Sequence, residues 1–335
     1  MQKKYINWIL ILVTLLVGLV FTIILALCVG EQNYTLAELT KIIYIKTGMD
    51  YTIISEIRLP RIILGLSIGG ALSISGLILQ GVYRNPLVEP YTLGISGGAA
   101  LGVVIAIFFN LNTTMGSLFL TFSGFIGSIS ATFLVYFLSL RKRHLDVNKM
   151  LLIGVMISFI SSSMIMLLMS ITTKENINSI LFWTMGSLDE TNKYMIKSVW
   201  IVSFLGLLLS YLFANTLNAL KLGMTSAKHL GIDTGKSIAI LFIIASILTG
   251  MSVSVAGVIG FVGLIIPHTL RIIIGSDHRI LIPASFLGGG IFIILCDVIS
   301  RKVISPNQLP IGVISGIIGG FVFIFLISRT KVKTM

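Results

Sequence analysis

The sequence predicts an all-α polytopic membrane protein of about ten transmembrane helices, and three observations lead there. Apolar residues make up 56% of the 335-residue chain and charged residues only 11%, against roughly 45–50% and about 25% in ordinary globular chains. A surface with so little charge does not keep a chain of this size in water. Apolar runs of about 20 residues, the length that crosses a bilayer, recur from end to end. The basic residues between those runs also fall unevenly on the two sides.

The runs lie at 8–29, 60–82, 91–109, 116–140, 150–171, 195–213, 237–255, 257–274, 281–299 and 311–328. The first is too long for a signal-peptide core and lacks a small-residue cleavage site, so it is read as a retained span. The seventh and eighth are the hardest to divide, because only Ser252-Val253-Ser254-Val255-Ala256-Gly257 can make the turn between them. The 33 glycines suit helices that approach closely in lipid, where small residues let backbones meet. Gly65/Gly69, Gly94/Gly98/Gly102 and Gly312/Gly316/Gly320 are spaced by four and mark such faces. Cys28 and Cys296 both lie in apolar runs, which argues against a disulfide framework or a zinc site.

An even number of spans puts both termini on one side. With the termini inside, inner connections carry 15 basic and 4 acidic residues, and outer ones carry 9 basic and 8 acidic. This is the positive-inside pattern, and it places nearly all of the +12 net charge on the cytoplasmic face. Nucleic acid is not needed to explain it. The outer loop at 30–57 contains Thr35 followed by Glu38, a capping-box signature for a short surface helix. The inner loop at 214–236 is the longest cytoplasmic connection. Gly223 and Gly231 read as stops of two short helices, with Thr225 or Ser226 capping the second. A loop of that length in a compact bundle points to a partner.

Gly231-Ile232-Asp233-Thr234-Gly235-Lys236-Ser237 resembles a phosphate loop only superficially. Three residues separate the glycines where four are needed, and no strand precedes them, so ATP binding is assigned elsewhere. His268, in Pro267-His268-Thr269-Leu270-Arg271, invites a proton-relay reading but has no carboxylate nearby in sequence. A structural histidine, with Arg271 snorkelling to the interface, is the preferred reading. Ser158, Ser161, Ser162 and Ser163 make the fifth run the candidate for a wetted pathway, unless they only bond back to helix carbonyls. Arg58, Arg61 and Arg301 stand on the outer side against the charge trend, with Asp297 one helical turn from Arg301. They read either as interfacial anchors or as a cationic rim that steers an acidic partner.

Taken in order, several strings resemble the FecCD-type permeases of iron-siderophore, haem and cobalamin ABC importers. They are Arg58-Leu59-Pro60-Arg61, Gly76 with Gln80, Arg84-Asn85-Pro86-Leu87-Val88-Glu89-Pro90-Tyr91-Thr92-Leu93-Gly94 and Phe182-Trp183-Thr184-Met185-Gly186-Ser187-Leu188. Gly257 to His268, Arg271, Asp277-His278-Arg279 and Asp297 with Arg301 complete the set. The resemblance implies a cobalamin-importer-like permease fold over the whole of 1–335, working as a dimer with an identical or paralogous second permease. It also implies two cytoplasmic ABC ATPases that bind ATP and magnesium, and an extracytoplasmic binding protein, with no cofactor or metal in this chain. Under it, Arg58, Arg61 and Arg301 dock the binding protein, and Ser226, Ala227, Lys228, His229, Leu230 and Gly231 fit a cleft in the ATPase. Val147 and Asn148 mark the inner gate, while Gln80, Asn85, Pro86, Pro267, His268, Arg271 and Asp297 are motif residues of structural character. Reversing the three arginines is expected to weaken docking with folding intact. The chain departs from the family at Gln308, where Glu is usual, and at Gly319-Gly320-Phe321, where Gly-Ala-Pro is common.

The function expected is therefore the non-enzymatic permease subunit of an importer for a ferric siderophore or related iron or tetrapyrrole chelate. The place expected is a bacterial cell membrane with both termini cytoplasmic. Usage rich in Lys, Ile and Asn suggests an AT-rich bacterium whose binding protein is a lipoprotein. The alternative is an ion-driven secondary transporter, which calls for ionisable residues at mid-membrane. Only Asp297 and His268 come near.

Overall fold

In the computed structural model the described residues are 2–111, 116–141, 144–304 and 307–329. Lys142, Arg143, Lys331 and Lys333, counted among the inner basic residues, lie outside them. Among the described residues the regular structure is helical apart from two short antiparallel strands, β1 (Leu140–Arg141) and β2 (His144–Leu145).

The N-terminal half comprises α1 (Gln2–Cys28), α2 (Leu36–Ile45), α3 (Met49–Thr52), a π-turn (Ile53–Arg58), α4 (Leu59–Tyr83), a 3-10 turn (Pro90–Leu93), α5 (Ile95–Phe108), α6 (Ser117–Ser139) and α7 (Val147–Ile171). The C-terminal half comprises α8 (Lys174–Met185), α9 (Lys193–Leu212), α10 (Ala214–Lys221), α11 (Met224–His229), α12 (Thr234–Ala256), α13 (Val262–Ile274), α14 (His278–Val303) and α15 (Ile311–Arg329). The surface helix α2 carries the expected capping box, with Thr35 and Glu38 each bonding the other's backbone. Helix α8 was not foreseen, and neither were the two strands.

The ten apolar runs become ten helices, but not ten full-length spans. Among the described residues seven helices are long and apolar enough to cross a membrane, and three apolar helices are shorter, among them α5 and α13. With 14 and 13 residues, α5 and α13 are each about 20 Å long, short of a bilayer core of about 30 Å. Irregular backbone supplies the rest, at 84–94 before α5, where it includes the 3-10 turn, and at 257–261 before α13. Such backbone is tolerated at membrane depth only where protein satisfies its polar groups. Here Ser187 N donates to Ala256 O at 2.9 Å and Ile311 N donates to Gly186 O at 3.0 Å. The Phe261 amide faces the Glu89 carboxylate. The turn expected within 252–257 therefore moves: α12 stays helical to Ala256, and the reversal begins at Gly257, whose φ is +71°.

Helix α4 is the hub. Its apolar window is 89% buried, whereas those of α1 and α7 are 17% and 11% buried, so these two lie at the rim. Glycines set the spacing around the hub. A Cβ at Gly69 would stand 2.2 Å from the Gly289 carbonyl oxygen, and one at Gly76 would stand 1.9 Å from that of Gly263. The Gly98/Gly102 face packs on Gly127 and Ser123 of α6 in the same way. The third predicted face does not form in the described residues. Gly312 is tightly packed, but nothing lies within 4 Å of a Cβ at Gly316 or Gly320, and Gly319 meets Phe261 instead. Helix α15 runs unbroken through Gly319-Gly320-Phe321, where no proline interrupts its amides.

Candidate functional site: an arginine cluster and a helical loop at opposite ends

At the first end, the C-terminus of α1 meets α4, α14 and the 186–192 segment. Asp297 and Arg301 share a face of α14, and their ion pair is 3.0 Å. Arg61, on the first turn of α4, donates Nε to the other Asp297 oxygen at 3.0 Å. Its Nη1 reaches Gln308 Oε1 at 2.9 Å and also Asp189 Oδ1. Arg301 donates to the Val29 and Ala26 carbonyls at 3.3 Å each, and Arg58 donates to the Leu27 and Gln32 carbonyls. The carbonyls of residues 26, 27 and 29 belong to the end of α1, where the helix has no amides left to offer. Cations suit that end of the helix dipole.

The three arginines are thus not a free rim. Arg58, Arg61 and Arg301 are 3%, 5% and 7% exposed. They line a cavity of about 310 Å³ together with Glu31, Gln32, Ile53, Ile57 and Gln308. Reversing all three would set two carboxylates against Asp297, which is 1% exposed, and a third against the carbonyls that Arg58 holds, so that change would disrupt the end of the bundle rather than leave folding intact. Asp297 and Asp189 pair with the arginines, and Glu31 adds a third carboxylate to the cavity wall, so three cations face three carboxylates.

At the opposite end, α10 and α11 form the loop read as a partner contact. Leu217, Leu220 and Ala227 are buried, and Ser226, Lys228, His229, Leu230 and Gly231 are exposed. Gly223 is the N-cap of α11 at φ 112° with no side-chain cap, so Thr225 and Ser226 lie within the helix rather than before it. Gly231, at φ 81°, ends the segment. Leu222 and Leu230 stand 66% and 64% exposed on this loop.

The loop is fixed to the bundle through Asp277. Asn218 Nδ2 donates to Asp277 Oδ1 at 2.9 Å, Arg279 Nη2 approaches Oδ2 at 2.7 Å, and Lys4 Nζ approaches it at 3.2 Å. The Arg279 bonds, aided by Asn218 and Lys4, hold the Asp277 carboxyl well below the usual carboxylate range. The string 231–237 is a capped helix start, in which Asp233 accepts from Lys236 N at 3.1 Å.

Between the ends, Gln80 Nε2 donates to the carbonyls of Gly263 at 3.0 Å and Leu264 at 3.3 Å. The reason lies four residues along α13. Pro267 has no amide hydrogen, so the Gly263 carbonyl lacks its helical donor. Asn85 closes the turn at 84–94 by accepting from Leu87 N at 2.9 Å, and Pro86 is exposed beside it. Ser158 donates to the Tyr91 carbonyl at 2.9 Å, and buried Ser161 packs on Gly97, so these two face α5 and its approach. Ser162 is exposed on another face, which means the serines do not line one channel within this chain. Val147 and Asn148 open α7 beside the Asp146 cap. The His268 ring nitrogens are buried without a hydrogen-bond partner among the described residues, and its ring meets Phe323 edge-on at 6.2 Å. Arg271 lies in the last turn of α13, where a cation suits the helix end. Among the described residues no cluster of metal ligands occurs.

Asp189, Gln308 and Glu89 were not singled out as site residues by sequence reasoning. Asp189 lies 128 residues from Arg61 and Gln308 lies 247, so no local pattern joins them.

The model of the FecCD transport family matches residues 18–329. The chain belongs to that family. Similar relatives include the hemin transport system permease HmuU of Yersinia pestis, 33% identical over 322 residues, covering 95% of this chain and 96% of the relative. The cobalamin import system permease BtuC of Halobacterium salinarum is 34% identical over 283 residues, covering 84% and 75% of the two chains. A solved inward-facing metal-chelate type ABC transporter superposes with a TM-score of 0.84 at 30% identity, covering 96% of this chain and 99% of that one. The chain is accordingly a multi-span membrane permease of the FecCD family, with the all-helical fold of ABC permeases.

Proposed function

We propose that this FecCD permease is the transmembrane subunit of a binding-protein-dependent ABC importer for a ferric siderophore or a related iron or tetrapyrrole chelate. It forms half of the pathway with a second permease, identical or paralogous, in a bacterial cell membrane with both termini cytoplasmic. Two ABC ATPases hold ATP and magnesium at the loop end. A lipid-anchored binding protein docks at the arginine end through a carboxylate entering the cavity between Arg58, Arg61 and Arg301. The hemin and cobalamin transport named for relatives, and the metal-chelate transporter that shares the fold, support this cargo class.

The observation that carries the reading is the pair Leu222 and Leu230, two large apolar side chains exposed on a short helical loop that is otherwise well anchored. ATP-driven closure of the ATPases pushes on that loop. The Asn218–Asp277 bond passes the force to α14, which packs along α4 through Gly289 and Gly69. A nucleotide shifts the permease only through unequal contact with its two states, and a movable ATPase against a rigid loop provides that inequality. An ion-driven mechanism is less well supported, because Asp297 is neutralised by two arginines.

The test is Leu230→Glu in the assembled importer. ATP hydrolysis without cargo is expected to persist while its stimulation by loaded binding protein is lost. Unaltered stimulation and uptake would remove the loop assignment. Ala227 is a poor probe because it is fully buried, so a bulky charge there tests folding of α11 rather than contact.

A further inference from the structure

The two acids that serve the arginine cluster differ in kind. The Asp297 side chain is 1% exposed and is held between two guanidinium groups. Burial without those partners would be costly, so it is a fixed member of the fold. The Asp189 side chain is 57% exposed and reaches Arg61 from the non-helical 186–192 segment. Ion pairs with so wet a partner are weak and exchangeable. Gln308 shares Arg61 Nη1 with Asp189 but is neutral, so it cannot replace that charge. All three arginines line the adjoining cavity, while Asp189 is absent from its lining.

We propose that Asp189 is a resident competitor, occupying on Arg61 the place that the carboxylate of an acidic docking partner takes. The inference rests on the docking role proposed above for the cluster. An incoming carboxylate takes the place of Asp189 on Arg61, so the charge at Arg61 stays paired, and Asp189 leaves. Arg61 stays in place, because Asp297 and Gln308 still hold it. The released segment is joined to the mid-membrane reversal. Ser187 N bonds Ala256 O at 2.9 Å, Gly186 O accepts from Ile311 N at 3.0 Å, and Gly186 packs against Gly257. The exchange therefore carries the arrival of a partner from the arginine end to the segment before α13 and to the start of α15.

A purely supporting role for Asp189 predicts the opposite sign, which makes the test direct. Hexaglutamate peptide is titrated against the full chain in lipid nanodiscs at low and high salt, using the native chain, Asp189→Asn, Asp189→Glu and Arg58→Gln. Removing a competitor should tighten binding about two- to fivefold, the range of one exposed ion pair. The gain should shrink at high salt, and Asp189→Glu should bind like the native chain. Unchanged, weaker or undetectable binding to Asp189→Asn, with an unaltered melting temperature, would overturn the inference. Arg58→Gln tests the docking reading separately. If it leaves peptide binding unaltered at both salt concentrations, that reading fails. If it weakens binding while Asp189→Asn also weakens it, only the competitor role fails.

Discussion

Gln80 and Pro267 should be energetically coupled, because the proline creates the vacancy that the glutamine fills. The Gly263 carbonyl lies inside the bundle, and its helical donor is missing at position 267. Gln80 is 2% exposed and supplies two amide hydrogens, at 3.0 and 3.3 Å. A buried carbonyl left without a donor costs about 1–3 kcal/mol. Gln80→Leu orphans it, but the same change also deletes Oε1, which has no partner of its own. The single variant is therefore a poor gauge. A double-mutant cycle with Pro267→Ala cancels the Oε1 contribution, because the alanine amide then serves Gly263 whether or not Gln80 is present. The coupling energy should be about 1–2 kcal/mol, within the range found for residues in contact. Unfolding the four proteins in mixed micelles by detergent titration, followed by helical circular dichroism, would measure it. A coupling below about 0.3 kcal/mol, the level of independent sites, would refute the donor-replacement reasoning.

Three further outcomes are expected. Gly76→Ala places a Cβ 1.9 Å from Gly263 O and should destabilise the bundle by about 1–3 kcal/mol, as over-packing does. Gly260→Ala, with nothing within 4 Å, should be near neutral in the same micelle unfolding assay. Asp277→Asn should lower the melting temperature at neutral pH and loosen α10, seen as faster hydrogen exchange at Asn218. Because Arg279, Asn218 and Lys4 hold the folded-state pKa of Asp277 below its ordinary value, its stabilisation is present above about pH 4 and fades as pH falls through the folded value. The gap between native and variant chains should therefore narrow in acid, and a gap that widens would contradict the assignment.

What could be read in advance follows physical range. The cap at Thr35 and Glu38 spans three residues, and its two bonds depend on nothing else in the chain. The ten apolar runs were legible because hydropathy reports transfer into lipid. It does not distinguish a helix from buried extended backbone, so the short lengths of α5 and α13 were hidden. The approach to α13 is held by Glu89 and Gly186, which are distant in sequence from Phe261 and Gly257. Four-residue glycine spacing marked Gly98 and Gly102 correctly, but it carries no information on which face meets a neighbour, and Gly316 and Gly320 stayed open. Arg58, Arg61 and Arg301 were identifiable as charges that run against the overall charge trend. Their burial was not, since it depends on Asp297, 236 residues from Arg61, and on the end of α1.

The most direct test of the central claim is uptake into proteoliposomes holding this permease with its ATPase and binding protein. Radiolabelled ferric siderophore, haem and cobalamin are offered in turn, with ATP or an imposed proton gradient as the only energy source. Accumulation of one of these chelates is predicted to require ATP and the ATPase, and to survive a protonophore. Accumulation driven by the gradient with the ATPase left out would contradict the account.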